Sequence, residues 1–545
     1  MKKINIFYSL LVSTVLFCSC ANELEVAPPN SITDEQIKEM LASGDKATIE
    51  KILGSVANSV VDAFNDDGFV PNSAYLTGYY YNVGQDVMRN LEGNDIVLGN
   101  RVLSSSNYGA WEYQLNDFRT VSSTYNYPYW NCGYNGVNTA NKLLNYLDDK
   151  TVGDNPLLKE YKGRGLITRA YFYNYLMENY QDAYLQGGKD KLGVPLYDKY
   201  DPSQEYQPRA SASDTYAFIK KDLNAAIRLF EEAGIGFTAE TYDIDLGTAY
   251  FILARVSLWT GDYATCIDCC SKIMDKYPTL IPVDAYGSRL AYDENKVPDI
   301  SPETNAFLNK AINPEVLFGW DKSKDFGVFG SYMNVFSESI GSTSSYGPTK
   351  EAYQCIDNRL YEKMADSDCR KACFAVDAIG DYAYPTQGVH FIPAYANIKF
   401  AATYGLGGKN KKDAGVQDYC LFRASEALLM LAEAQAMSGN ENGAKETLNK
   451  LLAARTIADA PALTCDTYPS MKGMSTLEMV QLQWRIEMWG ENGREYYNNK
   501  RWGIAVDRSS SKNHIEKHAT YSVAQMTLQI PENEMLYNPF CEQNK

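Results

Sequence analysis

The chain has 545 residues, of which 45% are hydrophobic and 22% charged, and its 51 Lys and Arg against 68 Asp and Glu give a formal net charge of −17. This composition is that of a globular protein and excludes a disordered chain, a collagen and a coiled coil. A surface this acidic repels a phosphate backbone, so nucleic acid is not expected as a partner. Tyrosine occurs 42 times, which is more amphipathic ring surface than a core alone needs.

The first residues indicate export. Lys2 and Lys3 precede an apolar run over residues 4–17, which is too short to span a hydrocarbon layer of roughly 30 Å but has the length of a secretory signal. The run ends in LFCSC, which resembles the cleavage box of a bacterial lipoprotein. Residues 1–19 are therefore predicted to be a lipoprotein signal peptide and Cys20 the lipidated residue. An ordinary secretory signal with a free cysteine is the alternative.

The rest of the chain is expected to lie outside the membrane. Residues 20–32 are acidic and contain proline, which is typical of a tether, here a lipidated one. Residues 33–545 are predicted to form one helical domain, with helical repeats in its N-terminal half (33–280) and a loop-rich insertion in its C-terminal half (281–545). Acyl chains on Cys20 would hold it at the membrane surface.

Two stretches have the pattern of helical hairpins. Residues 244–278 and 424–455 each carry apolar side chains at i, i+3, i+4 and i+7 on both sides of a glycine, Gly261 in the first and Gly439 in the second. Aligning the two glycines places small or apolar residues opposite one another, namely Ala254 and Ala432, Cys266 and Ala444, Cys270 and Leu448, and Ile273 and Leu451. The spacing resembles tetratricopeptide units of about 34 residues.

Further helices are predicted by the same periodicity over 134–147, 157–181, 212–233 and 476–490. Residues 281–420 are rich in Gly, Ser, Tyr and Asp and lack long apolar stripes, so they are predicted to form loops and short strands. The predicted fold class is all-α, with tetratricopeptide-like hairpins, large irregular insertions and short strands.

The close spacing of Cys266, Cys269 and Cys270 is compatible with a metal or redox cluster. Two of these occupy positions where the second hairpin carries Ala and Leu, so all three are interpreted as small core residues, and zinc would need further ligands at tetrahedral distance. Cys369 and Cys373 are helical neighbours, halves of disulfides, or neither. The ten cysteines beyond Cys20 are an even number in a compartment that permits disulfides, and their pairing stays open.

Six segments carry a recognisable series of motifs: RAYFYNYLMENYQDAY (169–184), GVPLYD (193–198), YAFIKKDLNAAIRLF (216–230), RASEALLMLAEAQAMSGN (423–440), WRIEMWGENGREYYNNKRWG (484–503) and QIPENEMLYNP (529–539). Together they resemble the SusD/RagB family of Bacteroidetes surface lipoproteins. Within them, Glu487, Arg494 and Arg501 are expected to form ion pairs that anchor helices, and Trp502 to pack in the core. Residues 33–130 and 281–420 carry no family pattern and are expected to contact the ligand.

The resemblance implies a SusD-like fold and a non-catalytic, nutrient-binding lipoprotein of the outer membrane, exposed at the cell surface. Family members act as a lid on a SusC-like TonB-dependent transporter, and most bind glycans. Tyrosine suits that task, because its ring covers the apolar face of a sugar while polar side chains satisfy the hydroxyl rim. No cofactor is predicted, and a role for calcium stays open because no EF-hand spacing occurs.

Three other functions compete with glycan capture. RagB-type members of the family bind peptides, and a tyrosine-rich cleft suits a peptide too. An enzyme is disfavoured because the chain has no H-E-x-x-H, G-x-S-x-G or G-x-x-x-x-G-K-[ST] motif. A pure scaffold, in which the hairpins grip a partner protein, is compatible with docking on a transporter.

Candidate ligand-binding residues follow from the family, whose pocket is built partly by the region ahead of the main helices. Trp111 is predicted to be a stacking platform, with secondary ring faces and hydroxyl partners in the same region: Tyr113, Tyr80, Tyr81, Arg89, Asn94, Asp95 and Asn116. Trp320 and Tyr346 are reserve candidates. The competing interpretation places the same rings in the core.

Overall fold

The structure is a computed structural model, and it describes residues 32–64, 89–90, 92–98, 119–123, 126–238, 242–287, 291–292, 298–299, 304–320, 354–375, 379–384, 388–392, 394–400, 418–514 and 520–544. The predicted signal peptide, Cys20 and all of the tether except Ile32 lie outside these residues. None of the helices within the described ranges is long and apolar enough to cross a membrane.

Helices dominate the described part of the chain, which confirms the predicted fold class. They are α1 (Asp34–Ser43), α2 (Lys46–Asp62), α3 (Asn126–Leu144), α4 (Asp149–Val152), α5 (Pro156–Tyr180), α6 (Ala212–Ala233), α7 (Leu246–Thr260), α8 (Tyr263–Lys276), α9 (Asn358–Tyr361), α10 (Ala424–Met437), α11 (Glu441–Ala454), α12 (Thr476–Glu487), α13 (Arg494–Trp502) and α14 (Glu532–Tyr537).

The strands are short and form antiparallel pairs. The pairs are β1 (Ile96–Leu98) with β7 (Gln354–Ile356), β2 (Leu192–Pro195) with β3 (Arg209–Ser211), β4 (Ala291–Tyr292) with β5 (Pro298–Asp299), β6 (Val316–Trp320) with β10 (Tyr419–Arg423), β8 (Ile379–Tyr384) with β9 (Gly388–Ile392), and β11 (Val506–Asp507) with β12 (Thr520–Tyr521). Several of them fall between 281 and 420, as predicted.

Both helical hairpins are confirmed. The chain turns between α7 and α8 at Gly261 (φ +78°) and after α10 at Gly439 (φ +83°), a left-handed conformation that glycine adopts without strain. The next residue caps the following helix in each case, since the side chains of Asp262 and Asn440 accept hydrogen bonds from backbone N–H groups of its first turn. All eight aligned side chains are buried, so the two hairpins pack equivalent positions into the core.

The other predicted helices are also confirmed, with one shifted boundary. α6 has the predicted bounds and α5 and α12 differ by a few residues, but α3 begins at Asn126 rather than near 134. Pro128 lies in the first turn of α3, where a missing N–H is tolerated. Gly133 and Gly136 lie against Leu176 and Phe172 of α5, and an added Cβ at either glycine would collide with those side chains. These glycines therefore permit close helix packing and do not break α3.

A buried ionic cluster, centred on Glu487, joins α10, α11 and α12 to the loops around them. Its cations are Lys399, Arg370, Arg423 and Arg455, and its anions are Glu315, Asp368, Glu487 and Glu491. The four positive and four negative charges balance. Burying unpaired charges would cost a large amount of folding free energy. This core can therefore form only with the charges of the cluster paired.

The family-motif residues have the predicted structural roles. Arg494 pairs with Glu178 (3.6 Å), and Arg501 donates to Glu433 (Nη2 to Oε2, 2.7 Å). Trp502 packs against the main core, and its Nε1 donates to Glu433 Oε1 (2.8 Å). These contacts fix α13 against α5 and α10.

The described cysteines are all buried except Cys420, which is half-buried. Cys266, Cys269 and Cys270 are buried in the core, as predicted, and burial raises the pKa of Cys269 to about 12. Cys369 and Cys373 lie at the two ends of a 3₁₀ helix and are buried too. Within the described ranges, no group of three or more His, Cys, Asp or Glu side chains is placed to hold a metal ion.

Candidate functional site

Most of the predicted ligand-binding residues lie outside the part of the chain that the structure describes. The ones outside the described residues are Trp111, Tyr113, Tyr80, Tyr81, Asn116 and the reserve candidate Tyr346. Trp320 ends strand β6. Arg89, Asn94 and Asp95 are described, and all three are buried.

Arg89 is fully enclosed between helices. Its guanidinium forms an ion pair with Glu92, donates to Asn179 Oδ1 (2.8 Å from Nη2), and lies over the rings of Tyr129 and Tyr496, 4.3 and 4.9 Å from their centroids. These contacts engage the guanidinium with donor partners and with aromatic rings in the interior. A ligand-binding role for Arg89 stays a prediction.

Asn94 and Asp95 join the segment before β1 to the C-terminal part of the chain. Asn94 Nδ2 donates to the Ala505 carbonyl (3.2 Å), and its Oδ1 accepts from the Asp507 N–H (2.8 Å). Asp95 Oδ2 accepts from Arg485 Nε (2.8 Å). The structure therefore gives both residues internal partners, and a ligand-binding role for them stays a prediction.

An open cleft with a volume of about 470 Å³ lies between α3, residues 197–206 and α14. We call it the tyrosine cleft. Its aromatic lining consists of Tyr127, Trp130, Tyr134, Tyr197, Tyr200, Tyr206 and Tyr537. Its remaining lining consists of Asn131, Val137, Asn138, Asn141, Lys199, Asp201, Pro202, Gln204, Asn533 and Glu534. The volume is within the range of small-molecule sites.

One face of α3 builds a wall of the cleft. Its lining residues recur every three or four positions, from Tyr127 through Trp130, Tyr134 and Asn138 to Asn141, which places them on one side of the helix. The glycine-bearing side of the same helix packs on α5. The packing of α3 in the core therefore presents a row of rings and amides to the cleft.

This wall is held in place by hydrogen bonds and ring contacts. Tyr134 donates to the Pro195 carbonyl (2.8 Å), its ring centroid lies 4.8 Å from that of Trp130, and Asn141 Nδ2 donates to the Tyr197 carbonyl (2.9 Å). Burial raises the pKa of Tyr134 well above its ordinary value. The hydrogen bonds and ring contacts thus organise the wall before any ligand arrives.

The outer parts of the cleft are open to solvent. Tyr537 on α14 is 67% exposed and Tyr206 is 48% exposed, so both can offer ring surface to a ligand. Asn138 and Asn533 are exposed as well, and each amide carries both donors and an acceptor. The cleft thus combines flat apolar surfaces with groups that match hydroxyls or peptide groups.

Sequence reasoning did not select the residues of this cleft. The signal was present in α3 as aromatic and amide side chains at helical spacing, but that pattern also describes a buried helix face. Glu534 was noted only as part of the closing family motif. Tyr206 lies in a loop with no periodicity, so only the folded chain brings it to α3.

Two family models match the chain. A model described as "SusD family" matches residues 326–543, and one described as "Starch-binding associating with outer membrane" matches residues 67–258. The two ranges do not overlap and together include most of the helices described above. No curated protein matches the chain.

Solved structures share the fold over nearly the whole chain. A SusD superfamily protein from Bacteroides thetaiotaomicron has 18% identity and a TM-score of 0.68, and the match covers 91% of this chain and 99% of that one. A putative sugar binding protein from Bacteroides vulgatus has 20% identity and a TM-score of 0.65, with 91% and 98% covered. A SusD-like carbohydrate binding protein from the same species has 20% identity and a TM-score of 0.66, with 90% and 96% covered.

Proposed function

Because this chain belongs to the SusD/RagB family, we propose that it is a cell-surface lipoprotein that binds an oligosaccharide in the tyrosine cleft and passes it, chemically unaltered, to a SusC-like TonB-dependent transporter. The observation that carries the proposal is the cleft itself, whose described lining combines seven aromatic rings with five amide side chains. The N-terminal candidates led by Trp111 would add further ligand contacts.

The chemistry of the cleft suits a sugar chain. Each pyranose ring has an apolar C–H face, which a tyrosine or tryptophan ring can cover, and a rim of hydroxyls, which amides can satisfy. By analogy with other aromatic contacts, each stacked ring contributes about 0.5–1.5 kcal/mol. Several contacts are needed for useful affinity, so an oligomer is a better ligand than a monosaccharide.

Outer-membrane attachment and transfer to a transporter are parts of the same proposal. Support comes from the lipoprotein box before Cys20 and from the matched family model, whose description names starch binding and association with the outer membrane. A binding protein that passes its cargo on needs moderate affinity rather than catalysis, and the chain lacks the hydrolase motifs considered above.

Calorimetry with neutral hexasaccharides tests the proposal. Maltohexaose, cellohexaose, mannohexaose and galactohexaose would be titrated into the protein, and then into Tyr206→Ala and Tyr537→Ala. Since both side chains are largely exposed, each change should alter stability by less than about 0.5 kcal/mol. We expect each to weaken binding of the recognised hexasaccharide by about two- to tenfold, the loss of one stacking contact.

Phe540→Ala is the matched control, because Phe540 is 55% exposed and close in sequence to Tyr537 but does not line the cleft. It should leave the affinity unchanged. Binding that is indifferent to both tyrosine variants would contradict the cleft as the glycan site. A panel of mixed peptides runs in parallel, and peptide binding without glycan binding would replace this proposal with the RagB-type one.

A further inference from the structure

We propose that the tyrosine cleft selects uncharged oligosaccharides over anionic ones, and that Glu534 sets this selectivity. The inference rests on the proposed function, because it concerns which glycans the same cleft accepts. The evidence for it is the set of charges that line the cleft and the hydrogen-bond partners of the Glu534 carboxylate.

Glu534 lies on α14 and presents its carboxylate to the cleft between two neutral donors. Its Oε2 accepts from Trp130 Nε1 (3.3 Å), and its Oε1 accepts from Asn538 Nδ2 (2.7 Å). Asn538 is itself buried and donates a second bond, to the Gln207 carbonyl (2.9 Å). The two donors fix the position of the carboxylate, but they bring no positive charge to neutralise it.

The other charges of the lining cancel. Lys199 Nζ lies 3.3 Å from Asp201 Oδ2, so these two form an ion pair at the cleft. Among the lining residues that the structure describes, one is a cation and two are anions, and the charge that is left over is that of Glu534. The net charge of −17 on the whole chain has the same sign.

The charge of Glu534 acts across the cleft. Burial raises the pKa of Tyr134 on α3, and the negative charge of Glu534 raises it further. The pKa of Tyr197, on the opposite loop, is raised by burial and again by Glu534. The carboxylate thus influences groups on both other elements that line the site.

The consequence for a ligand depends on its charge. A neutral sugar can donate a hydroxyl hydrogen bond to the Glu534 carboxylate, whereas a uronate or sulfate would bring a like charge into a site where aromatic walls replace water. At separations of about 6–8 Å and an effective dielectric constant of about 40–80, the repulsion corresponds to a factor of roughly two to ten in affinity. Selectivity of this size is measurable by calorimetry.

The experiment compares one glycan in two charge states. The hexasaccharide of the panel that binds is oxidised at its primary hydroxyls to carboxylates, and both forms are titrated into the wild-type protein at low salt. We expect the oxidised form to bind about two- to tenfold more weakly. In Glu534→Gln, which removes the charge and keeps the side-chain shape, this ratio should fall toward one, whatever affinity for the neutral form is lost with the carboxylate.

Two controls separate the local charge from other effects. Asp154→Asn also removes one negative charge, but Asp154 is fully exposed and does not line the cleft, so it should leave the ratio unchanged. In the wild-type protein, raising the salt from 0.02 to 0.5 M should bring the ratio toward one through screening. This second measurement does not depend on how well any variant folds.

Equal or tighter binding of the oxidised form to the wild-type protein would overturn the inference. So would a ratio that is the same in wild type and Glu534→Gln. Both results leave the proposed function intact, provided that the Tyr206 and Tyr537 variants still weaken neutral binding. If no hexasaccharide binds at all, the proposed function fails and this inference fails with it.

Discussion

Replacing Glu487 with glutamine removes the central negative charge of the buried ionic cluster while keeping the side-chain shape. Glu487 Oε1 accepts from Arg423 Nη1 and Arg455 Nη2, both at 2.8 Å. Its Oε2 accepts from Arg370 Nη1 (3.0 Å) and Arg455 Nε (3.1 Å). The side chain is fully buried, so water cannot substitute for any of these four bonds.

The cost can be worked out from this geometry. In glutamine an NH₂ group replaces one oxygen, so two of the four hydrogen bonds become donor against donor. A hydrogen bond to a charged group contributes about 1.5–3 kcal/mol, and removing one partner of a buried pair costs about 3–5 kcal/mol. We expect Glu487→Gln to lower the free energy of unfolding by about 3–5 kcal/mol.

Urea denaturation at pH 7 measures this loss, and Glu362→Gln is the matched control. Glu362 pairs with Lys512 at 2.7 Å, but their side chains are 49% and 74% exposed, so the control should lose less than about 1 kcal/mol. A loss of similar size in both variants would refute the reasoning, because it would mean that the buried carboxylate contributes no more than a surface one.

The pH dependence supplies a second check. Burial disfavours the charged form of Glu487, but Arg455 and Arg423 outweigh burial and hold its pKa well below the ordinary value. A lowered pKa gives stability that is present above the unfolded-state pKa near 4.5 and is lost as the pH falls through the folded-state value. The difference between wild type and Glu487→Gln should therefore be constant from pH 7 to 5 and shrink only at lower pH.

Two further predictions concern other buried positions. Burial lowers the pKa of Lys500, whose Nζ donates to the Glu178 carbonyl (2.7 Å), to about 7, so the unfolded chain binds more protons between pH 7 and 10.5. Wild type should gain stability over Lys500→Met across that window, by at most about 1.4 kcal/mol per pH unit; a flat or opposite trend in urea midpoints would contradict this. In Gly136→Ala the added Cβ would lie 2.2 Å from the Phe172 ring, so a packing cost of about 1–3 kcal/mol should exceed a helix-propensity gain of about 1. In Gly54→Ala, on α2, the added Cβ would meet no atom within 4 Å, so this variant should be more stable than wild type by about 0.5–1 kcal/mol. A loss of stability in Gly54→Ala would argue against the packing explanation.

Periodicity predicted the helices whose signals are local. The hairpins of α7–α8 and α10–α11 were predictable because apolar spacing, a left-handed glycine and a capping Asp or Asn occur together at each turn. α3 begins at Asn126 rather than near 134, and the added stretch contains Gly133. That glycine fits because α3 approaches α5 closely, and this tertiary contact cannot be predicted from local spacing.

α1 and α2 were missed although their signals were also local. Thr33 and Gln36 form a capping box at the start of α1, and Ile49, Leu53 and Ala57 recur every four positions in α2 and are buried. The partners of Glu487 could not be predicted in the same way. Arg370 lies more than a hundred residues from it, and no spacing in the sequence relates the two.

The abundance of tyrosine is explained by two different uses of the same side chain. On α5, Tyr171, Tyr173 and Tyr175 are all buried, although alternate positions of a helix point to different sides, so α5 must be enclosed all round. On α3, tyrosines line an open cleft on one face while glycines pack the opposite face on α5. A ring with a hydroxyl satisfies both environments, so composition cannot separate them. Because α3 packs on α5 on one side and borders solvent on the other, its rings are available to a ligand.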